Sequence, residues 1–160
     1  MEITAVCRGL SSELRPYLIF EISELPLGVP QSRLSELVGS VRPFCRGVAT
    51  QLPARIPNYG AYLGAGLHAI GLSLSGMGTG GGEMGSEMFK LGVAARKQGI
   101  RSFALVVPSE ELLRAAHAHG INLISGPLIG GPLDSPAPIR RLLACDLLKP
   151  SGTVEHIIAA

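Results

Sequence analysis

Residues 15–24 read RPYLIFEISE, and residues 101–128 read RSFALVVPSEELLRAAHAHGINLISGPL. The first contains a short, nearly continuous apolar run that closes on Glu21 and Glu24, the pattern of a strand covered on both faces. The second strings three elements together. SFALVV at 102–107 is apolar almost throughout, as a buried strand should be. Ser109 then stands as an N-cap ahead of Glu110 and Glu111, whose charges suit the positive first turn of a helix. Gly120 stops that helix after His119, and 122–125 returns as a strand.

Working outward, the same alternation continues. ITAVC at 3–7 and YLIFEI at 17–22 predict strands. Residues 31–41 place Leu34, Leu37, Val38 and Val41 at spacings of three and four, which predicts an amphipathic helix ended by Pro43. GVATQL at 47–52 and AIGLSL at 69–74 predict strands, with a Pro-rich turn and a short helix near 59–66 between them. GMGTGGGEMG at 76–85 holds six glycines, and the conformational entropy they would lose on ordering predicts a mobile loop. A helix over 86–98 closes at Gly99, and a last helix is expected over 137–148. Strand and helix alternate about six times, so the expected fold is α/β with mostly parallel strands and right-handed crossovers.

Composition bounds the function. With 160 residues, 46% of them hydrophobic, the chain can bury one sizeable core and is most simply one domain. A net charge of +2 with only 16% charged residues, and no basic cluster interleaved with aromatics, leaves nucleic-acid binding without its electrostatic footprint. Cys7, Cys45 and Cys145 are odd in number and widely separated, so neither a metal site nor a disulfide framework is expected, and a reducing cytoplasmic setting is. The most apolar window, 59–75, is interrupted by His68, glycines and serines, which argues against membrane insertion.

The order of these segments resembles that of bacterial EAL domains, barrel phosphodiesterases that hydrolyse cyclic di-GMP. FEISE at 20–24 is similar to the family's glutamate-bearing strand, and 99–133 resembles its late strand, helix and closing segment. GVATQL falls where the family has its paired aspartates, and AIGLSL where it has its lysine strand. The resemblance covers residues 1–150 as a single domain, with 151–160 as a C-terminal tail. It implies a partial or shortened TIM-type (β/α) barrel, because eight strand–helix units take about 250 residues. Such a sheet either closes by pairing with another chain or is the C-terminal piece of a longer protein.

Carried onto this sequence, the resemblance implies a pocket whose chemistry has largely gone. Glu21 matches the metal-binding glutamate and Glu24 the second acidic residue. Thr50 and Gln51 stand at the paired aspartates, Gly71 at the lysine, Leu105 at the glutamate of the late strand, and Cys7 at the strand asparagine; Ser125 closes the pocket. Two hard cations need several converging carboxylates to hold them and to deprotonate the attacking water, and one glutamate cannot do this. No catalytic residue, metal or cofactor is therefore expected.

The expected function is a degenerate, non-enzymatic regulatory module acting through a protein partner or self-association as a dimer. The alternative is a non-hydrolysing cyclic di-GMP receptor using Glu21, Arg8, Gln51 and the loop after Ser125. An active phosphodiesterase would require a different register. Plainer readings stand beside these: Glu21 as a structural ion-pair acceptor, and the glycine stretch as an insertion, since it lacks the lysine of a phosphate-binding loop. His117 and His119, two apart, face different sides of their helix, and His68 and His156 have no metal-binding neighbours in sequence beyond Glu155.

Overall fold

Five strands pair in the order in which the chain makes them. The computed structural model describes residues 3–53, 56, 58–75, 81–130, 134, 135 and 138. Its elements run α1 (Ile3–Arg8), β1 (Ile19–Ile22), α2 (Gln31–Val41), β2 (Gly47–Leu52), α3 (Gly60–Leu63), β3 (Ala69–Ser73), α4 (Gly81–Lys97), β4 (Arg101–Leu105), α5 (Glu110–Ala118) and β5 (Leu123–Ile124). The sheet order is β1-β2-β3-β4-β5, and every pair is parallel.

That order decides the architecture. A doubly wound sheet reverses direction part-way and takes helices on both faces. A sheet that only ever adds the next strand, through crossovers of one hand, collects its helices on one face. Burial follows this division. Val48, Leu52, Ile70, Leu72 and Ala104 share one core with Leu34, Val38, Met88, Leu91, Leu112 and Ala116 of the helices. On the opposite face, among the described residues, Ala49, Ala69 and Phe103 are buried, with Leu105 packed against them. This is a partial TIM-type barrel, and its second face is the one a closed barrel would turn inward.

Several elements form where the sequence places them. α2 and β2 have the predicted bounds. The Ser109 hydroxyl accepts from the Leu112 N–H at the start of α5, and Gly99 and Gly120 take φ of 65° and 71° at the ends of α4 and α5. β4 stops at Leu105, because Val106 turns to φ 56°.

Two expectations are overturned. Residues 3–7 are not a strand but belong to α1, with Cys7 only 2% exposed. Their β-branched character carries a preference of well under 1 kcal/mol per residue, about what packing of the helix against α2 can reverse. The described strands are therefore five. The glycine stretch also does not run as a loop to residue 85, since α4 begins at Gly81. Glycine in a helix costs about 1 kcal/mol against alanine, and burial of Met84, Met88 and Leu91 along α4 outweighs it. Residues 76–80, the last helix expected over 137–148, the tail 151–160, Cys145 and His156 lie outside the described residues. Among those described, no helix is long and apolar enough to cross a membrane.

Candidate functional site on the open sheet face

Strand register sets two rows on the inward face. Glu21, Ala49, Ala69 and Arg101 are successive partners across β1 to β4, and Gln51, Gly71, Phe103 and Leu123 across β2 to β5. Small residues occupy the middle of the first row, so the face is hollowed there. A cavity of about 250 Å³ lies over it, with Glu21 and Ile19 on one side, Arg101 and His68 at its lower end, and Phe103 and Leu105 in its wall.

The structure brings together three of the residues singled out in the sequence. Glu21, Leu105 and Ser125 line this cavity. Ser125 is held by its backbone, which accepts from Val107 N at 2.9 Å and donates to Ala104 O at 2.9 Å. Gln51 and Gly71 share the same face in the next row. Glu21 is exposed on β1, and among the described residues its carboxylate has no hydrogen-bond or ion-pair partner, so the structural ion-pair reading finds no support. Glu24 follows in the left-handed region at φ 54°.

Thr50 and Cys7 are elsewhere. Thr50 is fully buried on the helix side of β2, where its hydroxyl donates to the Ile22 carbonyl at 2.8 Å and ties β2 to β1. Period-two alternation turns it away from the face that its neighbours Ala49 and Gln51 share. Cys7 sits on α1 rather than at a strand end.

Phe103 carries more of the site than the sequence suggested. A Cβ placed on Gly71 would lie 2.1 Å from its ring, so the ring rests against the bare backbone of β3. The signal was a glycine in an otherwise apolar strand, which marks close approach by another group. Gly47 does the same for His68, whose side chain would be 2.6 Å from a Cβ there. Burial, and then Arg101, Arg42 and Arg46, hold the His68 imidazole below its ordinary range. At the strand tips, Val106 keeps a left-handed backbone that a β-branched residue rarely adopts, and Gly126 lies so close to Val107 that a Cβ would meet its carbonyl at 2.5 Å.

A larger groove of about 400 Å³ lies between α3 and α4, with Lys90 and Lys97 among its lining residues. It is on the helix side of the sheet, remote from the strand tips where barrels carry their chemistry. Its wall contains a buried bond: the Tyr59 hydroxyl donates to Glu87 Oε2 at 2.8 Å, while Lys90 Nζ holds Oε1 at 2.7 Å. Burial and the Glu87 carboxylate together raise the Tyr59 phenol far above its ordinary range.

These features define an α/β partial barrel with an apolar inward face. No protein-family model matches the chain, and no curated protein matches it. Among solved structures it is similar to the YkuI protein of Bacillus subtilis, with an EAL domain, in complex with its substrate c-di-GMP and calcium. The two share a TM-score of 0.62 at 15% identity, over 81% of this chain and 32% of that one. The likeness is one of fold, and this chain spans about a third of that protein's length.

Proposed function

We propose that the chain is a non-catalytic regulatory module on an EAL-like scaffold, working in cyclic di-GMP signalling in the cytoplasm through association with protein rather than through hydrolysis. The observation that carries this reading is the Phe103 ring against Gly71, at the position where the resemblance implies a lysine. An ammonium on a four-carbon stem and that ring cannot occupy the same space, so the interior there is apolar packing instead of a charged site. Leu105 beside it extends the apolar wall, and among the described residues no three His, Cys, Asp or Glu side chains gather to hold a cation. Glu21 alone offers one carboxylate where a two-cation hydrolysis needs several.

The test is direct. Cyclic di-GMP is incubated with the chain in magnesium or manganese, products are separated by chromatography, and binding is titrated calorimetrically with and without the metal. No linear product and no tight binding are expected. Metal-independent tight binding would turn the reading to that of a receptor, and turnover would overturn both.

A further inference from the structure

We propose that the base of the sheet, where the strands begin, binds a phosphate group carried by a small soluble molecule, with Arg42, Arg46 and Arg101 gathered around His68 as its ligands. This site lies at the opposite end of the strands from Val106 and Ser125, and it stands independently of the reading above.

The chain scatters these cations, and parallel pairing collects them. Arg46 immediately precedes β2, His68 immediately precedes β3, and Arg101 is the first residue of β4. Their backbones are pinned by the ladder: Arg46 N donates to Leu18 O at 2.8 Å, His68 N to Val48 O at 2.7 Å, and Arg101 N to His68 O at 3.1 Å. Arg42 opens the 3-10 turn Arg42–Phe44 that follows α2. Because Gly47 has no side chain, His68 packs directly on its backbone; a Cβ there would lie 2.6 Å from the His68 Cβ and Cγ. The imidazole is thus seated among the guanidinium groups by a close contact.

Charge at this end is one-sided. Arg101, Arg42 and Arg46 each act on His68, and no described carboxylate acts against them. Glu21 borders the same cavity as His68 and Arg101, yet exerts no comparable pull. None of the three arginines has an ion-pair partner among the described residues. A fourth guanidinium, that of Arg15, lies 5.5 Å from the Phe44 ring in the same turn, and its buried Nε has no acceptor among the described residues. Converging cations repel one another, and a buried donor without a partner costs about 1–3 kcal/mol, so an anion seated here relieves both.

The donors select the anion. A guanidinium offers paired N–H groups in a fork that matches two oxygens at once. A carboxylate brings one charge and satisfies one such fork. A phosphate monoester brings nearly two charges and three oxygens, enough for several. A nucleic-acid backbone needs a track of cations, whereas these surround one imidazole. His68 donates an N–H when neutral, and a bound dianion favours its second proton.

The experiment uses the full chain at constant ionic strength set with sodium chloride. Inorganic phosphate and glycerol 3-phosphate are titrated calorimetrically while NMR follows the His68 imidazole, and vesicles carrying phosphatidic acid are tested by co-sedimentation. Saturable binding of a soluble probe is expected, with the His68 titration moved upward. Equal affinity for both soluble probes would make free phosphate the ligand, and tighter binding of glycerol 3-phosphate would make it an ester; either supports the site. Arg42→Gln, Arg46→Gln and Arg101→Gln should each weaken binding about tenfold, and Arg101→Lys by less. Lys90→Gln, in the groove between α3 and α4, should change nothing, and circular dichroism confirms that each variant is folded. Weak, non-saturating binding that is the same in every variant, an adventitious ion only, would overturn the proposal. So would a His68 titration that phosphate moves no more than chloride does, or binding to the vesicles alone.

Discussion

The ring of Phe103 on β4 rests on the backbone of Gly71 on β3, 2.1 Å from where a side chain on residue 71 would begin. The pair explains why β3, an otherwise apolar strand, carries a glycine at its centre. Phe103 is 7% exposed, and it is the largest side chain buried on the inward face.

Gly71→Ala should therefore cost about 1–3 kcal/mol, the range for forcing a methyl group into a packed site. The cost should shrink in a Phe103→Ala background, where the methyl has somewhere to go. Urea denaturation of the two single variants and the double variant measures this as a coupling energy. Equal costs in both backgrounds would mean that the ring is not what fills the space.

Tyr59→Phe should destabilise the chain by about 1–3 kcal/mol, because it strips a hydroxyl from the Glu87 carboxylate, which is only 6% exposed. Lys90 remains on the other oxygen, so the loss should stay within that range. The readout is the shift in urea midpoint at constant slope. A loss below about 0.5 kcal/mol would show that solvent replaces the bond.

His68 should make stability depend on pH in one direction. Its folded pKa lies below its unfolded value, so the unfolded chain takes up the proton first as pH falls. The stability it contributes is present in full above the unfolded value of 6.5 and is lost as pH falls through the folded one. The urea midpoint should drop between about pH 7.5 and about pH 5.5, and His68→Gln should flatten that drop. An unchanged pH profile in the variant would remove His68 as its source.

Much of the helix layer could be read from residue order. The spacing of Leu34, Val38 and Val41 and the caps at Ser109, Gly99 and Gly120 are local signals, and they were decisive because burial reinforced them. ITAVC misled because β-branched residues state a weak preference that packing of Cys7 overrode. The glycines of 81–85 misled for a related reason. Composition speaks of chain entropy, whereas the helix there is held by Met84 and Met88 and by partners distant in sequence.

The site was legible in part. Glu21, Leu105 and Ser125 converge as their order along the strands requires. Thr50 was placed on the wrong face because GVATQL sets the polar Thr50 and Gln51 side by side among apolar residues, which leaves the alternation of faces unreadable. Arg101 went unnoticed, and His68 was weighed only as a metal ligand, because only the register of β3 with β4 brings the two to one end of the cavity.

Each strand borders only the strands just before and after it in the chain. Such a sheet can grow by accretion, every new unit laid on a template already in place, with no long excursion to close before pairing begins. Entropy losses then arrive in small instalments, and truncation at either margin leaves the remaining units with their native neighbours. The five described strands can hold together as a folded sheet for this reason, each layer steadied by the one laid down before it.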